Sequence, residues 1–246
     1  MNTRIAAITL ILATAMSADE LPPPEATEYY EPVPPVVSSP EGGVPSDAIV
    51  LFDGTSLAAW ESVEGGDAPW SVKDGAMTVV PKSKDIRTRQ GFGDVQLHIE
   101  FRCPAVVEGK GQGRGNSGIF LMEKYEVQVL DSYENTTYVN GQLGSIYKQH
   151  PPLVNVARAP GEWQQYDIVF VAPRFDGSGA VLSPARFTVL LNGVLVQHDV
   201  VLHGPTEWRG TPPFKAHPAK LPIRLQEHDS DLVSYRNIWI RELNLP

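Results

Sequence analysis

Val95-Gln96-Leu97-His98-Ile99-Glu100-Phe101-Arg102 alternates apolar and polar residues over eight positions. That period of two belongs to a β-strand, with Val95, Leu97, Ile99 and Phe101 on the face turned to a core. Similar short runs recur on both sides of it. Ala48 to Phe52 precedes the turn signal Asp53-Gly54, and Trp70 to Val72 is joined to Ala76–Val80 through Lys73-Asp74-Gly75. Further on lie Ile119 to Met122, Tyr125 to Leu130, Gln165 to Val171, Arg186 to Leu191, Val194 to His198 after Asn192-Gly193, Ile223 to Gln226 and Arg236 to Leu243. Closely spaced strands with Gly, Asn and Asp at the turns, and no long amphipathic helix, imply an all-β sandwich or jelly roll.

Tyr125-Glu126-Val127-Gln128-Val129-Leu130-Asp131 alternates in a different way. Tyr125, Val127 and Val129 share one face; Glu126, Gln128 and Leu130 share the other. A carboxylate and an amide two residues apart suit the wall of a polar groove, where Glu accepts hydrogen bonds or a proton and Gln both donates and accepts. Asn116-Ser117-Gly118, just upstream, places two polar side chains beside a residue that permits close backbone approach. Arg224, Gln226 and His228 form a second polar face, with His228 suited to carrying a proton near neutral pH.

The 246 residues and an apolar fraction of 42% allow one large domain plus appendages. The net charge of -9 is unevenly spread: Ile5 to Val72 holds 11 acids and no Lys or Arg, so the rest is nearly neutral. No basic face is available for nucleic acid. Arg4 and the apolar run Ile5–Ala15, ending in Ala15-Met16-Ser17, read as a signal peptide over residues 1–17. The run is too short to span a bilayer, and no other segment is apolar enough, so the mature chain is expected to be exported without inserting into a membrane. Residues 18–46 are rich in Pro and Glu and read as an extended, disordered linker; the folded domain is expected over 47–246. Cys103 is the only cysteine and reads as a small buried residue.

Several local patterns carry less chemistry. The Gly-rich stretch Gly109–Gly115 lacks the Gly-Lys-Ser/Thr ending of a phosphate-binding loop and reads as a rim loop. No paired His or Cys spacing announces a transition metal, although Asp131, Glu134 and Asp229 are oxygen donors suited to a hard cation. No Gly-x-Ser-x-Gly elbow is present.

The pieces occur in the order of a known family. Leu51-Phe52-Asp53-Gly54 with Leu57 and Trp60, Trp70-Ser71-Val72 before Asp74-Gly75, Asn116-Ser117-Gly118-Ile119, Tyr125 to Asp131, Gly144-Ser145-Ile146-Tyr147, Gly161-Glu162-Trp163-Gln164, Asn192-Gly193, Leu225-Gln226 and Arg236-Asn237-Ile238 together resemble the 3-keto-disaccharide hydrolase domain of the concanavalin A-like superfamily. The resemblance covers about Ile49 to Leu243. It implies a concanavalin A-like jelly roll of two antiparallel sheets, acting on glycosides oxidised to a ketone at carbon 3.

On that resemblance, Glu126 is expected as base or cation ligand and His228 as acid/base or cation ligand, with Lys148 and Tyr147 stabilising an enolate. Asn116, Gln128, Asp131 and Gln226 are expected to bind sugar, and Trp208 to face it. No particular cofactor is implied, and a divalent cation polarising the ketone would serve the same end as side-chain stabilisation. The expected partner is an oxidised carbohydrate, with a sugar oxidoreductase supplying it. A conventional glycosidase or a non-catalytic carbohydrate-binding module on the same fold remain the other readings. The family's His-Gly near the C-terminus is here His228-Asp229, so Asp229 is expected to crowd the site.

Overall fold

The structure, a computed structural model, describes residues 22–229 and 231–245. The signal peptide expected over 1–17 lies outside the described residues. Two compact units meet in sequence at Val37 and Ser38. In the first, the described part contains one short 3-10 turn, Pro24–Thr27, among exposed residues. The second begins before the expected Asp47: Ser38 and Ser46 exchange two hydrogen bonds of 3.0 Å and close a small loop. Among the described residues no helix is long and apolar enough to cross a membrane.

The second unit is an antiparallel β-sandwich. Its strands are β1 (Ile49–Phe52), β2 (Trp60–Ser62), β3 (Ser71–Lys73), β4 (Ala76–Thr78), β5 (Ile86–Phe92), β6 (Val95–Arg102), β7 (Ser117–Leu121), β8 (Tyr125–Val129), β9 (Gln164–Val171), β10 (Arg174–Phe175), β11 (Val181–Ser183), β12 (Arg186–Leu191), β13 (Val194–Val201), β14 (Leu221–Leu225) and β15 (Ser234–Glu242). One sheet runs β13-β12-β9-β6-β15-β4-β3, with β1 paired to β15. The other runs β2-β5-β14-β7-β8, and β10 and β11 form a separate ribbon. The expected turns are present: Asp74-Gly75 and Asn192-Gly193 both take positive φ, as tight hairpins require.

The core lies between the sheets. Val95, Leu97, Ile99 and Phe101 of β6 are fully buried and join Ile86, Ile119, Val127, Val129, Ile223 and Leu225 of the smaller sheet in one cluster. Among the described residues, three fully buried side chains make polar contacts that bridge the sandwich. The Tyr166 hydroxyl donates to the Gln128 carbonyl at 2.7 Å, and the Tyr235 hydroxyl to Ser117 Oγ at 2.7 Å. Both tie the larger sheet to β7 and β8. The third is the Trp60 indole N–H on the Leu51 carbonyl at 2.8 Å, in a fully buried side chain. Trp60→Phe leaves that carbonyl unpaired and is expected to cost about 1–3 kcal/mol. A urea midpoint unchanged from the parent would show that the bond contributes nothing.

Four strands, β2, β5, β10 and β11, were not legible from alternation. In β5, Ile86-Arg87-Thr88-Arg89-Gln90-Gly91-Phe92, the core position between the two ends is filled by Thr88. Its hydroxyl is satisfied inside, donating to the Gln90 carbonyl at 2.7 Å and accepting from the Ile223 N–H at 2.9 Å. β2 is only three residues long, too short for any periodicity.

Candidate functional site

The outer face of the smaller sheet is built by three neighbouring strands in register. Phe120 of β7 stands between Glu126 of β8 and Arg224 of β14. One step along, Gly118 stands opposite Gln128, and its carbonyl accepts the Gln226 N–H at 3.0 Å. The floor therefore reads Arg224–Phe120–Glu126 in one row and Gln226–Gly118–Gln128 in the next.

Gly118 is glycine for reasons of space. A Cβ there would lie 2.5 Å from Glu126 Oε1 and 2.7 Å from Phe120 Cε2. The Glu126 carboxyl occupies the room the missing side chain leaves.

Loops raise the walls. Tyr147 is held by its N–H on the Glu126 carbonyl at 3.2 Å. Thr206 Oγ1 accepts the Glu126 N–H at 3.1 Å, while the Thr206 N–H donates to the Lys124 carbonyl at 2.7 Å. Gln149 fixes the start of that loop, donating to the Gly204 carbonyl at 3.0 Å and accepting from the His203 N–H at 2.8 Å. The result is a cavity of about 500 Å³ lined by Asn116, Phe120, Glu126, Gln128, Tyr147, Thr206, Glu207, Trp208, Arg224, Gln226, His228 and Asp229. That volume is in the range of small-ligand sites, and the lining is more polar than such sites usually are.

Glu126 is 4% exposed. Burial pushes its carboxyl up to about 8, against the opposing pull of Arg224 and with a smaller push from Asp85. Arg224 stacks its guanidinium 3.8 Å over the Phe120 ring and donates to Asp85 Oδ2 at 2.5 Å. Arg224→Met is expected to raise further the pH at which Glu126 ionises, since the one favourable charge is gone and Asp85 is left unbalanced. Titration of the Glu126 carboxyl by carbon NMR checks this; a lower midpoint would refute it. Tyr147 is also held above the usual phenol range, by burial and by the Tyr138 hydroxyl 2.7 Å away.

The fold matches known proteins. The sequence fits the family described as 3-keto-alpha-glucoside-1,2-lyase-like domain over residues 47–241. The chain belongs to that family.

A candidate glycosyl hydrolase from Parabacteroides distasonis ATCC 8503 is 54% identical to this lyase-like domain, covering 90% of this chain and 97% of its own, with a TM-score of 0.85. Two other candidate glycosyl hydrolases from the same organism share the fold at 18% and 22% identity, each over 80% of this chain, and over 94% and 99% of their own. Their TM-scores are 0.60 and 0.57. No curated protein matches the sequence. The protein is thus a glycosyl hydrolase-like domain on a concanavalin A-like sandwich.

Of the nine residues nominated from sequence, the lyase-like domain brings seven to this cavity: Glu126, His228, Asn116, Gln128, Tyr147, Gln226 and Trp208. Trp208 is 69% exposed, its ring covered on one side by Arg209 at 4.2 Å. His228 has its Nδ1 buried and without a hydrogen bond. The other two stand elsewhere. Lys148 turns its ammonium onto the Tyr138 ring, 4.0 Å from the centroid, and does not line the cavity. The cation on the floor is Arg224, which the sequence reading had left without a role.

Asp131 faces a separate, smaller cavity and is engaged by Arg114 at 2.6 Å. Ser117 is fully buried between the Tyr235 hydroxyl and the Gln226 carbonyl. Asp229 takes a positive φ of 44°, the conformation for which glycine is best suited, and it lines the cavity with its side chain 90% exposed. The donors suggested for a hard cation do not assemble: among the described residues no group of three or more His, Cys, Asp or Glu side chains converges to hold a metal ion.

Proposed function

We propose that this domain, exported from the cell, cleaves glycosides whose sugar ring carries a ketone at carbon 3. What supports the reading best is the gathering of seven nominated residues around a single buried carboxyl in a polar cavity, in a chain of this family. A ketone at carbon 3 acidifies the hydrogen on carbon 2. Removing that proton gives an enolate, which expels the aglycone from carbon 1 as the leaving oxygen takes up a proton. Water then adds across the new double bond, oxygen to carbon 1 and hydrogen to carbon 2, to complete a net hydrolysis.

This route needs two proton carriers and a partner for the enolate oxygen. Glu126 and His228 are the carriers, Arg224 with Tyr147 faces the developing negative charge, and Asn116, Gln128 and Gln226 hold sugar hydroxyls. It does not need the carboxylate pair of ordinary glycosidases. The other carboxylates of the cavity, Glu207 and Asp229, are exposed on its loops. The substrate must come from a reaction that oxidises the carbon-3 hydroxyl of a glycoside, so a sugar oxidoreductase acts upstream.

The test offers the purified protein a chromogenic glucoside and its 3-keto counterpart. Release from the keto sugar alone is expected. Equal release from the unoxidised glucoside would make the protein a conventional glycosidase, and binding without release from either would make it a binding module.

A further inference from the structure

Three side-chain amides run from the rim to Glu126, and each fixes the next. Gln112 Nε2 donates to the Gly141 carbonyl at 2.8 Å and to Thr137 Oγ1 at 3.0 Å. Asn116 Nδ2 donates to the Gln112 carbonyl at 2.7 Å. A backbone carbonyl only accepts, so neither amide can turn over without setting oxygen against oxygen. Their own oxygens consequently face Gln128, whose Nε2 donates to Gln112 Oε1 at 3.1 Å and to Asn116 Oδ1 at 3.3 Å.

That leaves Gln128 Oε1 pointing the other way, 3.0 Å from Glu126 Oε1 and 3.1 Å from the Ser117 carbonyl. Gln128 is 1% exposed, and an unrelieved contact between two acceptors is costly where water cannot screen it. A proton on Glu126 converts the contact into a hydrogen bond. In this arrangement Gln128 makes three hydrogen bonds and one poor contact, with Ser117. Turned over, it donates to Ser117 and Glu126 but sets its oxygen against two acceptors, Gln112 Oε1 and Asn116 Oδ1, that have no proton to offer.

We propose that Gln112 and Asn116, acting through Gln128, keep Glu126 protonated in the empty site, so that it meets its substrate as an acid. The inference deepens the function proposed above and takes its substrate from that reading. The charged and titratable groups around Glu126 are Arg224 from β14, which favours the carboxylate, and Asp85 from the segment before β5, which opposes it and is paired with that same Arg224. The phenols of Tyr147 and Tyr235 are neutral neighbours from the loop after β8 and from β15. His228, Glu207 and Asp229 stand on the cavity wall. Burial, which itself disfavours the carboxylate, acts in the same direction as the amides.

The roles then divide. Glu126 gives its proton to the leaving oxygen on carbon 1 while His228 takes the proton from carbon 2. In hydration the Glu126 carboxylate takes a proton from the water attacking carbon 1, and the His228 imidazolium returns one to carbon 2, so both groups are reset. Gln112 does not line the cavity and acts as a positioning residue.

The test is spectroscopic and needs no substrate. Full-chain protein carrying ¹³C-labelled glutamate is titrated by NMR, and the Glu126 carboxyl is identified as the signal lost in Glu126→Gln. A neutral carboxyl is expected at pH 7. Gln112→Leu removes one of the two acceptors that hold Gln128, releases it to turn and donate to Glu126, and is expected to lower the midpoint by one unit or more, at least about tenfold in proton concentration. Gln128→Leu removes the oxygen that accepts the Glu126 proton without supplying a donor and is expected to lower the midpoint by less than Gln112→Leu does; an unmoved midpoint in this variant would also overturn the proposal, so it serves if the first variant does not fold. An ionised Glu126 at pH 7 in the parent, or an unmoved midpoint in folded Gln112→Leu, would overturn the proposal. Neither result depends on cleavage of a keto sugar, so this inference and the proposed activity can fail separately.

Discussion

Glu126→Gln is expected to reduce aglycone release from a 3-keto-glycoside by about 10²–10⁴-fold, the usual contribution of a positioned acid or base. The substitution keeps the shape of the side chain and removes only its ability to carry a proton. Its effect on stability should run opposite to its effect on rate. Burial raises the Glu126 carboxyl from an ordinary 4.5 to about 8. Between those values the folded chain holds a proton that the unfolded chain has released. The contribution of this group to stability is therefore full below about pH 4.5 and is lost as pH rises through about 8. An amide has no charge to bury, so the variant gains on the parent as pH rises, by a few kcal/mol in alkaline solution. Urea midpoints measured in mildly acidic and in alkaline buffer decide it. An inactive variant that is less stable than its parent under both conditions would mean that Glu126 holds the fold together and that its loss says nothing about chemistry.

Gly118→Ala should be the most damaging small change on the floor. Its methyl would stand 2.5 Å from Glu126 Oε1 and 2.7 Å from the Phe120 ring. Either the carboxyl or the ring must move. Overpacking of this kind costs about 1–3 kcal/mol, and displacing a proton carrier by about 1 Å can cost about 10²-fold in rate. The two losses separate in a double-mutant cycle. Glu126→Asp draws the carboxyl back by one methylene, so Gly118→Ala should destabilise the Asp background less than the Glu background. Equal penalties in both backgrounds would place the clash on Phe120 alone and detach Gly118 from the chemistry.

The fold was legible wherever a strand buried one face cleanly. β6 has an aliphatic or aromatic residue at every second position, and nothing else satisfies that spacing. β5 was hidden because its inner positions mix Ile86 and Phe92 with Thr88, whose hydroxyl is satisfied only by backbone groups that the fold brings to it. At the site, β8 announced Glu126 and Gln128 through the same alternation. Lys148 was misplaced because its neighbour Tyr147 does line the cavity, while its own backbone takes a φ of 64° and carries the ammonium to Tyr138.

Gln112 was passed over as part of a glycine-rich rim loop. Its importance comes from Gly141 and Thr137, more than twenty residues away, which no local pattern reports. Arg224 was recognised on its polar face but acquired a role only when β14 was laid beside β7, over Phe120.

The alternation of β8 has a consequence for how such a protein can change over generations. Tyr125, Val127 and Val129 belong to the apolar interior, and Glu126 and Gln128 to the cavity, within one five-residue strand. Heredity acts on the two sets almost independently, because a replacement on one side of the strand leaves the other side's neighbours in place. A lineage can thus retune what its groove accepts, one outward residue at a time, while the inward residues keep the sandwich shut. Gly118 is the exception, since its emptiness serves the groove, and it is the position where such drift should stall.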